Sequence, residues 1–150
     1  MKTINFRIIP ILLGLSLLLS GCSSNLTAKD TVFHFIQHGI FLDDYQKVKA
    51  NTTFSQDKVH SLSKTINQRE KHEFGSKFTV FYVSKGNKEN KKYELIFLLG
   101  VQQHIFMNVK KINGRWNIVG YSHTILETKQ SVKLINSKKW RKEELIIYKP

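Results

Sequence analysis

The stretch VKKINGRWNIVGY, residues 109–121, decides the fold. At its centre Asn113 and Gly114 both tolerate a positive φ, so they favour a two-residue type I′ turn between antiparallel strands. Counting outward from that turn predicts the facing pairs Ile112–Arg115, Lys111–Trp116, Lys110–Asn117, Val109–Ile118, Met107–Gly120 and Phe106–Tyr121. One face of this hairpin is therefore expected to be mostly core, and the other partly exposed to water.

Two more stretches rich in β-branched and aromatic residues precede the hairpin. They are KFTVFYV at 77–83 and KYELIFLLGV at 92–101. Both have the length and composition of strands, and the polar segment SKGNKENK between them is typical of an exposed turn. We expect these strands to join the hairpin in one antiparallel sheet.

Upstream of residue 70 the apolar residues recur at helical spacing instead. In a first helix, capped by Thr27 or Asp30, one side carries Val32, Phe33, Phe35, Ile36 and Ile40. A second, shorter helix follows the acidic pair Asp43-Asp44, and a third follows Ser55. Helices followed by antiparallel strands predict an α+β fold in which N-terminal helices pack on a curved antiparallel sheet.

The first 21 residues have the layout of a signal peptide, with a cationic start, an apolar run and a small-residue exit. The run of about a dozen apolar residues is shorter than the roughly 20 that a spanning helix needs. It ends in Leu-Ser-Gly-Cys22, and this cysteine is the only one in the chain. The motif resembles the lipobox of bacterial lipoproteins, which implies cleavage before Cys22 and attachment of diacylglycerol to its thiol. The alternative is an ordinary secretory signal in which Cys22 has no role.

These features divide the chain into four parts. A lipoprotein signal peptide covers 1–21, a lipidated tether 22–28, the folded domain 29–122 and a basic C-terminal extension 123–150. In one interpretation this extension is a hairpin that packs on the same domain. The expected location is the extracytoplasmic face of the bacterial cell membrane, where lipid on Cys22 provides the anchor.

The chain is strongly basic, with a formal net charge of +13 over 150 residues. Such a charge is common in nucleic-acid-binding proteins, but export separates this protein from the cytoplasm, so we predict no nucleic-acid partner. Anionic lipid headgroups and wall polymers are the polyanions that remain. Solubility is the alternative explanation of the charge.

The C-terminal extension contains SVKLIN and EELIIY, which we interpret as two strands of a hairpin joined by SKKWRK. A tryptophan flanked by cations at a hairpin tip suits a membrane interface or an acidic pocket of a partner. The candidate interaction patch therefore comprises Lys138, Lys139, Trp140, Arg141 and Lys142. In the alternative interpretation the segment is helical, and Trp140 is buried against Ile135 and Leu145.

The order of elements, with LDDYQKV in the second helix and INGRWNIVGY in the last strands, resembles the NTF2-like and cystatin-like domains of small bacterial envelope lipoproteins. It also resembles the NTF2-like module of some penicillin-binding proteins, over about residues 28–122. The resemblance implies a cone of sheet and helix whose mouth can hold a small ligand, and a subset of the superfamily, such as ketosteroid isomerases, are enzymes. The candidate cone-lining residues are Phe35, Phe81, Phe97 and Trp116.

Residues with catalytic or metal-binding spacing are scarce. His34 and His38 are one helical turn apart, but no carboxylate completes an HExxH motif, and a solvated polar face explains them. Asp43 and Asp44 are explained by the dipole of the helix that they begin. We therefore predict no catalytic residue, no metal and no cofactor.

The sequence thus predicts a non-catalytic binding or scaffold lipoprotein for a protein partner or an anionic envelope polymer. A link to conjugation, exclusion or secretion machinery is a refinement of this hypothesis. One alternative is a small-molecule-binding cone. Another is a hydrolase or isomerase, which would require a buried carboxylate or histidine with a perturbed pKa. The sequence does not predict an oligomeric state.

Overall fold

A computed structural model describes residues 25–67, 77–98 and 102–146. Its elements are α1 Ala28–His34, a π-helix Phe35–Phe41, α2 Tyr45–Val48, a 3₁₀ turn Lys49–Asn51, α3 Gln56–Asn67, β1 Lys77–Gly86, β2 Asn90–Leu98, β3 Gln102–Ile112, β4 Arg115–Leu126, α4 Thr128–Asn136 and β5 Arg141–Ile146. The strands form one antiparallel sheet in the order β4-β3-β2-β1-β5. The predicted α+β fold, with N-terminal helices on a curved antiparallel sheet, is confirmed. The predicted signal peptide and Cys22 lie outside the described residues, and within those residues no helix is long and apolar enough to cross a membrane.

The helices begin where the sequence predicts caps. The Thr27 hydroxyl accepts a hydrogen bond from the Asp30 N–H, and the Asp44 carboxylate accepts one from the Lys47 N–H. Beyond His34 the first helix continues as a π-helix to Phe41. Gly39 is buried there. A Cβ at this position would stand 3.4 Å from side-chain atoms of both Phe35 and Val48, so the missing side chain permits close packing of α2.

The hairpin of β3 and β4 has the predicted turn, with φ of 49° at Asn113 and 79° at Gly114. Its register follows the prediction from the turn as far as the pair Val109–Ile118. Beyond that point the predicted pairs Met107–Gly120 and Phe106–Tyr121 are wrong by one residue, because Val119 forms a β-bulge without a partner on β3. Gly120 lies opposite Asn108, Tyr121 opposite Met107, and Ser122 opposite Phe106.

The bulge turns Tyr121 to the inner face of the sheet, where it packs against the hydrophobic core. A physical reason lies in the segment that follows the 3₁₀ turn. The Ile118 carbonyl accepts a hydrogen bond from the Thr53 N–H at 3.0 Å, and the hydroxyls of Thr52 and Thr53 reach the same oxygen. This attachment fixes Ile118 in the core while the strand beyond it shifts by one residue.

The core lies between the helices and the inner face of the sheet. Its buried members include Val32, Phe35, Ile36, Ile40, Val59, Leu62, Ile66, Val80, Tyr82, Tyr93, Leu95, Phe97, Ile105, Met107, Val109 and Ile118. Phe35 and Phe97 are each 1% exposed, and Trp116 is partly buried against the same cluster. Phe81 alternates with the core residues Val80 and Tyr82, so it lies on the opposite face and does not line the cone, contrary to the prediction.

The C-terminal segment differs most from the prediction. SVKLIN is not a strand, because it belongs to α4, whose start is fixed by a capping box between Glu127 and Gln130. EELIIY contributes to β5, which pairs with β1 rather than with SVKLIN. Since β4 and β5 are opposite edges of the sheet, the segment between them crosses it. Residues 123–146 are therefore part of the same domain, and Trp140 does not stand at a hairpin tip.

Candidate anion-binding groove

The outer face of the sheet, opposite the core, carries a row of cations near the two hairpin turns. Lys85 of β1 lies directly opposite Lys92 of β2, which in turn lies opposite Asn108 of β3. In the next row toward the turns, Asn90 lies opposite Lys110. Like charges directly opposite each other destabilise a sheet, so this row has an energetic cost in the free protein.

These rows form a surface cavity of about 350 Å³, which we name the lysine groove. Its lining consists of Lys85, Gly86, Asn87, Asn90, Lys91, Lys92, Asn108, Val109, Lys110 and Val119. The lining thus contains lysines and asparagines, which donate hydrogen bonds, and within the described part of the chain no carboxylate belongs to it. A groove of this composition has a positive potential and suits an anion.

The turn between β1 and β2 holds one end of the groove in place. The Asn87 side-chain oxygen accepts hydrogen bonds from the N–H groups of Glu89 and Asn90, both at 2.9 Å. Gly86 has a φ of 130°, and a Cβ there would stand 2.1 Å from the Asn90 carbonyl oxygen. The Lys111 N–H donates to the Glu89 carbonyl at 2.7 Å, which joins this turn to the neighbouring hairpin. These hydrogen bonds therefore fix the backbone conformation at this end of the groove.

The bulge in β4 shapes the other side of the groove. It brings Val119 into the lining and sets Gly120 opposite Asn108. A Cβ at Gly120 would stand 2.6 Å from the Asn108 side-chain nitrogen, so the Asn108 amide fills the space that a side chain would take. The glycine thus lets an amide N–H₂ group lie along the groove wall.

A second cavity of about 180 Å³ adjoins the groove, and we name it the apolar pocket. Its lining consists of Val83, Lys85, Lys92, Tyr93, Glu94 and Phe106. Lys85 and Lys92 therefore belong to both cavities. Phe106 is 42% exposed, and its ring centroid lies 4.4 Å from that of His104.

The one carboxylate in the apolar pocket is compensated. Glu94 accepts hydrogen bonds from the Lys138 ammonium at 2.7 and 2.8 Å and lies 3.0 Å from Nε2 of His104. Burial alone would raise the pKa of Glu94, but the hydrogen bonds from Lys138 and His104 outweigh it and hold this pKa below its usual range. Glu94 is therefore ionised at neutral pH, with its charge offset by its partners.

The structure does not bring the five residues of the predicted interaction patch together as one surface. Lys138 is paired with Glu94 and lies over the Trp140 ring, 5.0 Å from its centroid. The Trp140 indole N–H donates to the Leu134 carbonyl at 3.1 Å, and the side chain is partly buried. Lys139, Arg141 and Lys142 are exposed, but the last two alternate between the two faces of β5.

The predicted histidine pair is close but has local partners. The rings of His34 and His38 lie 4.5 Å apart, and Nε2 of His34 is 3.0 Å from the Lys47 carbonyl oxygen. Burial, together with the electrostatic effect of His34 and Lys47, lowers the pKa of His38, whose buried Nδ1 has no hydrogen-bond partner in the described part of the chain. Across residues 25–67, 77–98 and 102–146, no cluster of three His, Cys, Asp or Glu side chains could hold a metal.

The acidic pair has separate contacts. Asp43 has a φ of 52° and its carboxylate lies 2.5 Å from Nδ1 of His60, while Asp44 caps α2 and lies 3.6 Å from the Lys47 ammonium. These contacts explain both carboxylates as structural residues of the loop before α2.

Sequence reasoning missed the lysine groove because SKGNKENK was interpreted only as an exposed turn. A signal was present, since Asn87 is a strong turn residue whose side chain bonds the backbone two and three positions later. Centring the turn on Asn87–Asn90 gives the register in which Lys85 faces Lys92. Only the arrival of β3 beside β2 then adds Asn108 and Lys110.

No protein-family model matches this chain, and the search of curated proteins found no match. Among solved structures, an NTF2-like protein of unknown function from Silicibacter pomeroyi DSS-3 is similar to it. The two are 11% identical, the comparison covers 79% of this chain and 98% of that chain, and the TM-score is 0.47. This similarity concerns the fold alone.

Proposed function

We propose that this protein is a non-catalytic, lipid-anchored binding module that holds an anionic component of the cell envelope in the lysine groove. The observation that carries the proposal is a cavity of about 350 Å³ whose lining, among the residues that the structure describes, has four lysines and three asparagines beside Gly86, Val109 and Val119, and no carboxylate. The anionic envelope polymer expected from the sequence is one component of this kind.

The facing pair Lys85–Lys92 gives this proposal its physical basis. Two ammonium groups on neighbouring strands repel each other in the free protein. A phosphate or carboxylate placed between them converts that repulsion into two attractions, and the amide of Asn108 can donate a further hydrogen bond. Binding of an anion would therefore remove an electrostatic repulsion that is present in the free folded protein.

The proposed anchor keeps the groove near a supply of anions. From Cys22 to Thr27, where the fold begins, five residues span at most about 18 Å when extended. Lipid on Cys22 would therefore hold the domain close to the membrane, where anionic headgroups and membrane-attached polymers are concentrated. This step depends on lipidation of Cys22, which is itself part of the proposal.

The test is a binding titration with sodium polyphosphate at low salt. A groove variant, Lys85→Gln with Lys92→Gln, is compared with a control, Lys129→Gln with Lys133→Gln, which removes the same charge from exposed positions of α4. We expect the groove variant to bind at least about tenfold more weakly, since each lost charge contact is worth on the order of 1 kcal/mol, and the control to stay within about twofold of wild type. Equal weakening in the two variants would show that net charge, and not the groove, binds the anion.

A second candidate, binding of a small molecule inside the cone, is favoured by one observation. Thr31 Oγ1, Gln103 Oε1 and the Tyr121 hydroxyl are buried and have no hydrogen-bond partner among the described residues. Unpaired buried polar groups are costly, and a bound molecule would satisfy them. Burial also raises the pKa of Tyr121, so its hydroxyl remains a donor at neutral pH.

A thermal-shift screen of small hydrogen-bonding molecules tests this candidate. Under it, Tyr121→Phe abolishes the stabilisation given by any compound that binds inside the cone. If instead no compound stabilises the wild type, and Tyr121→Phe is neutral or stabilising, the buried hydroxyl has only a structural role.

A further inference from the structure

The lysine groove and the apolar pocket are neighbouring parts of one surface depression, and the side chains that each adds to the shared lysines differ. They meet at Lys85 and Lys92, which line both. On one side of this pair lie asparagines and Lys110, and on the other side lie Val83 and Phe106. A bound anion at the pair would therefore have a polar neighbourhood on one side and an apolar one on the other.

From this arrangement we infer that the ligand is an amphiphilic anion. Its phosphate group lies between Lys85 and Lys92, and an apolar substituent of the same molecule lies against Val83 and Phe106. The inference rests on the proposed function, because it names the chemical class that the lysine groove takes. It goes beyond that function by requiring an apolar group next to the charge.

Because the charge of Glu94 is compensated, an anion can bind next to the apolar pocket. Glu94 lines the apolar pocket, and an uncompensated carboxylate there would repel a neighbouring phosphate. Its two oxygens are instead held by Lys138, with His104 at 3.0 Å from one of them. The Glu94 charge is thus already neutralised, and the two lysines that remain are available to the ligand.

The apolar side chains explain why the second group is not another charge. Phe106 is a large hydrophobic residue left 42% exposed on the sheet surface, and covering it removes apolar area from water. A volume of about 180 Å³ accommodates one aromatic ring or a short alkyl chain, since an apolar cavity of about 150 Å³ is enough for benzene. Each methylene buried there should tighten binding by up to about fourfold.

The experiment is a chemical-shift titration of the protein with inorganic phosphate, hexyl phosphate and the neutral hexyl glucoside. We expect hexyl phosphate to bind at least about tenfold more tightly than phosphate, the equivalent of two buried methylenes. Phe106→Ala should remove most of this difference and leave phosphate binding within about twofold. The control Val132→Ala, an exposed apolar residue of α4, should leave both unchanged.

The possible failures separate the inference from the proposed function. If phosphate binds through Lys85 and Lys92 but the hexyl group adds nothing, or Phe106→Ala leaves its advantage intact, the inference is wrong and the groove still binds anions. Equal binding of hexyl glucoside and hexyl phosphate would also overturn the inference, because the apolar pocket would then act without the charge. If no phosphate compound binds at the groove, the proposed function fails with it.

Discussion

Neutralising one lysine of the facing pair should make the free protein more stable. Lys92→Gln removes the charge opposite Lys85 and keeps a long polar side chain on the same strand. Two unit charges about 6 Å apart in water repel by about 0.7 kcal/mol, and the repulsion is larger where the effective dielectric constant is lower. We therefore expect Lys92→Gln to raise the free energy of unfolding by about 0.5–1 kcal/mol and the melting temperature by about 2–4 °C.

The assay is urea unfolding at about 10 mM and 1 M NaCl, because screening distinguishes this effect from changes in packing. The Debye length falls from about 30 Å to about 3 Å between these salt concentrations, so the stabilisation should disappear at 1 M. Lys129→Gln on α4 is the matched control with the same change in net charge. Polyphosphate should stabilise the wild type and lose most of that effect in Lys92→Gln.

Two results would show that the lysine pair does not destabilise the free protein. If Lys92→Gln is no more stable than Lys129→Gln at low salt, repulsion between Lys85 and Lys92 does not destabilise the free protein. A stabilisation that persists unchanged at 1 M NaCl would assign the effect to strand propensity and not to charge.

Three further predictions test other parts of the structure. Glu94→Gln should lower the free energy of unfolding by about 1–2 kcal/mol at pH 7. Since the folded pKa of Glu94 is lowered, this loss of stability should be full above about pH 5 and vanish as the pH falls through that pKa. Urea unfolding across this pH range measures it, and the exposed control Glu144→Gln should change stability little at any pH. Gly114→Ala should cost about 1–2 kcal/mol for its positive φ alone, and Gly86→Ala more than about 3 kcal/mol because its Cβ also meets the Asn90 carbonyl oxygen; equal losses in melting temperature would contradict this order. Cys22→Ala should move the protein from the membrane fraction to the soluble fraction of the expressing bacterium, and unchanged fractionation on an immunoblot would show that lipid on Cys22 is not the anchor.

The sequence was most informative where local chemistry decides the structure. Asn113 and Gly114 set the turn of the last hairpin, and Thr27 and Ser55 provide caps for α1 and α3. In each case the signal and the structural response lie within a few residues of one another. Such features could be predicted without knowing what packs against them.

The errors came from longer-range contacts. The bulge at Val119 follows from the attachment of residues 52–53 to Ile118, which no pattern in β4 reveals. SVKLIN has the aliphatic residues of a strand, and only the capping box of Glu127 and Gln130, an unusual pair for this motif, marks it as helical. The same limit applies to the groove, since residues of four strands line it and their positions depend on the strand register.

If the lysine groove is the site at which this protein binds anions, a bound polyanion must perturb the residues of the groove first. The measurement is an amide chemical-shift titration of the wild-type protein with sodium polyphosphate, read residue by residue. We expect the largest perturbations to fall on Lys85, Lys92, Asn108 and Lys110 and to saturate with one common affinity. Perturbations spread over exposed lysines such as Lys129 and Lys133, without saturation, would contradict this expectation.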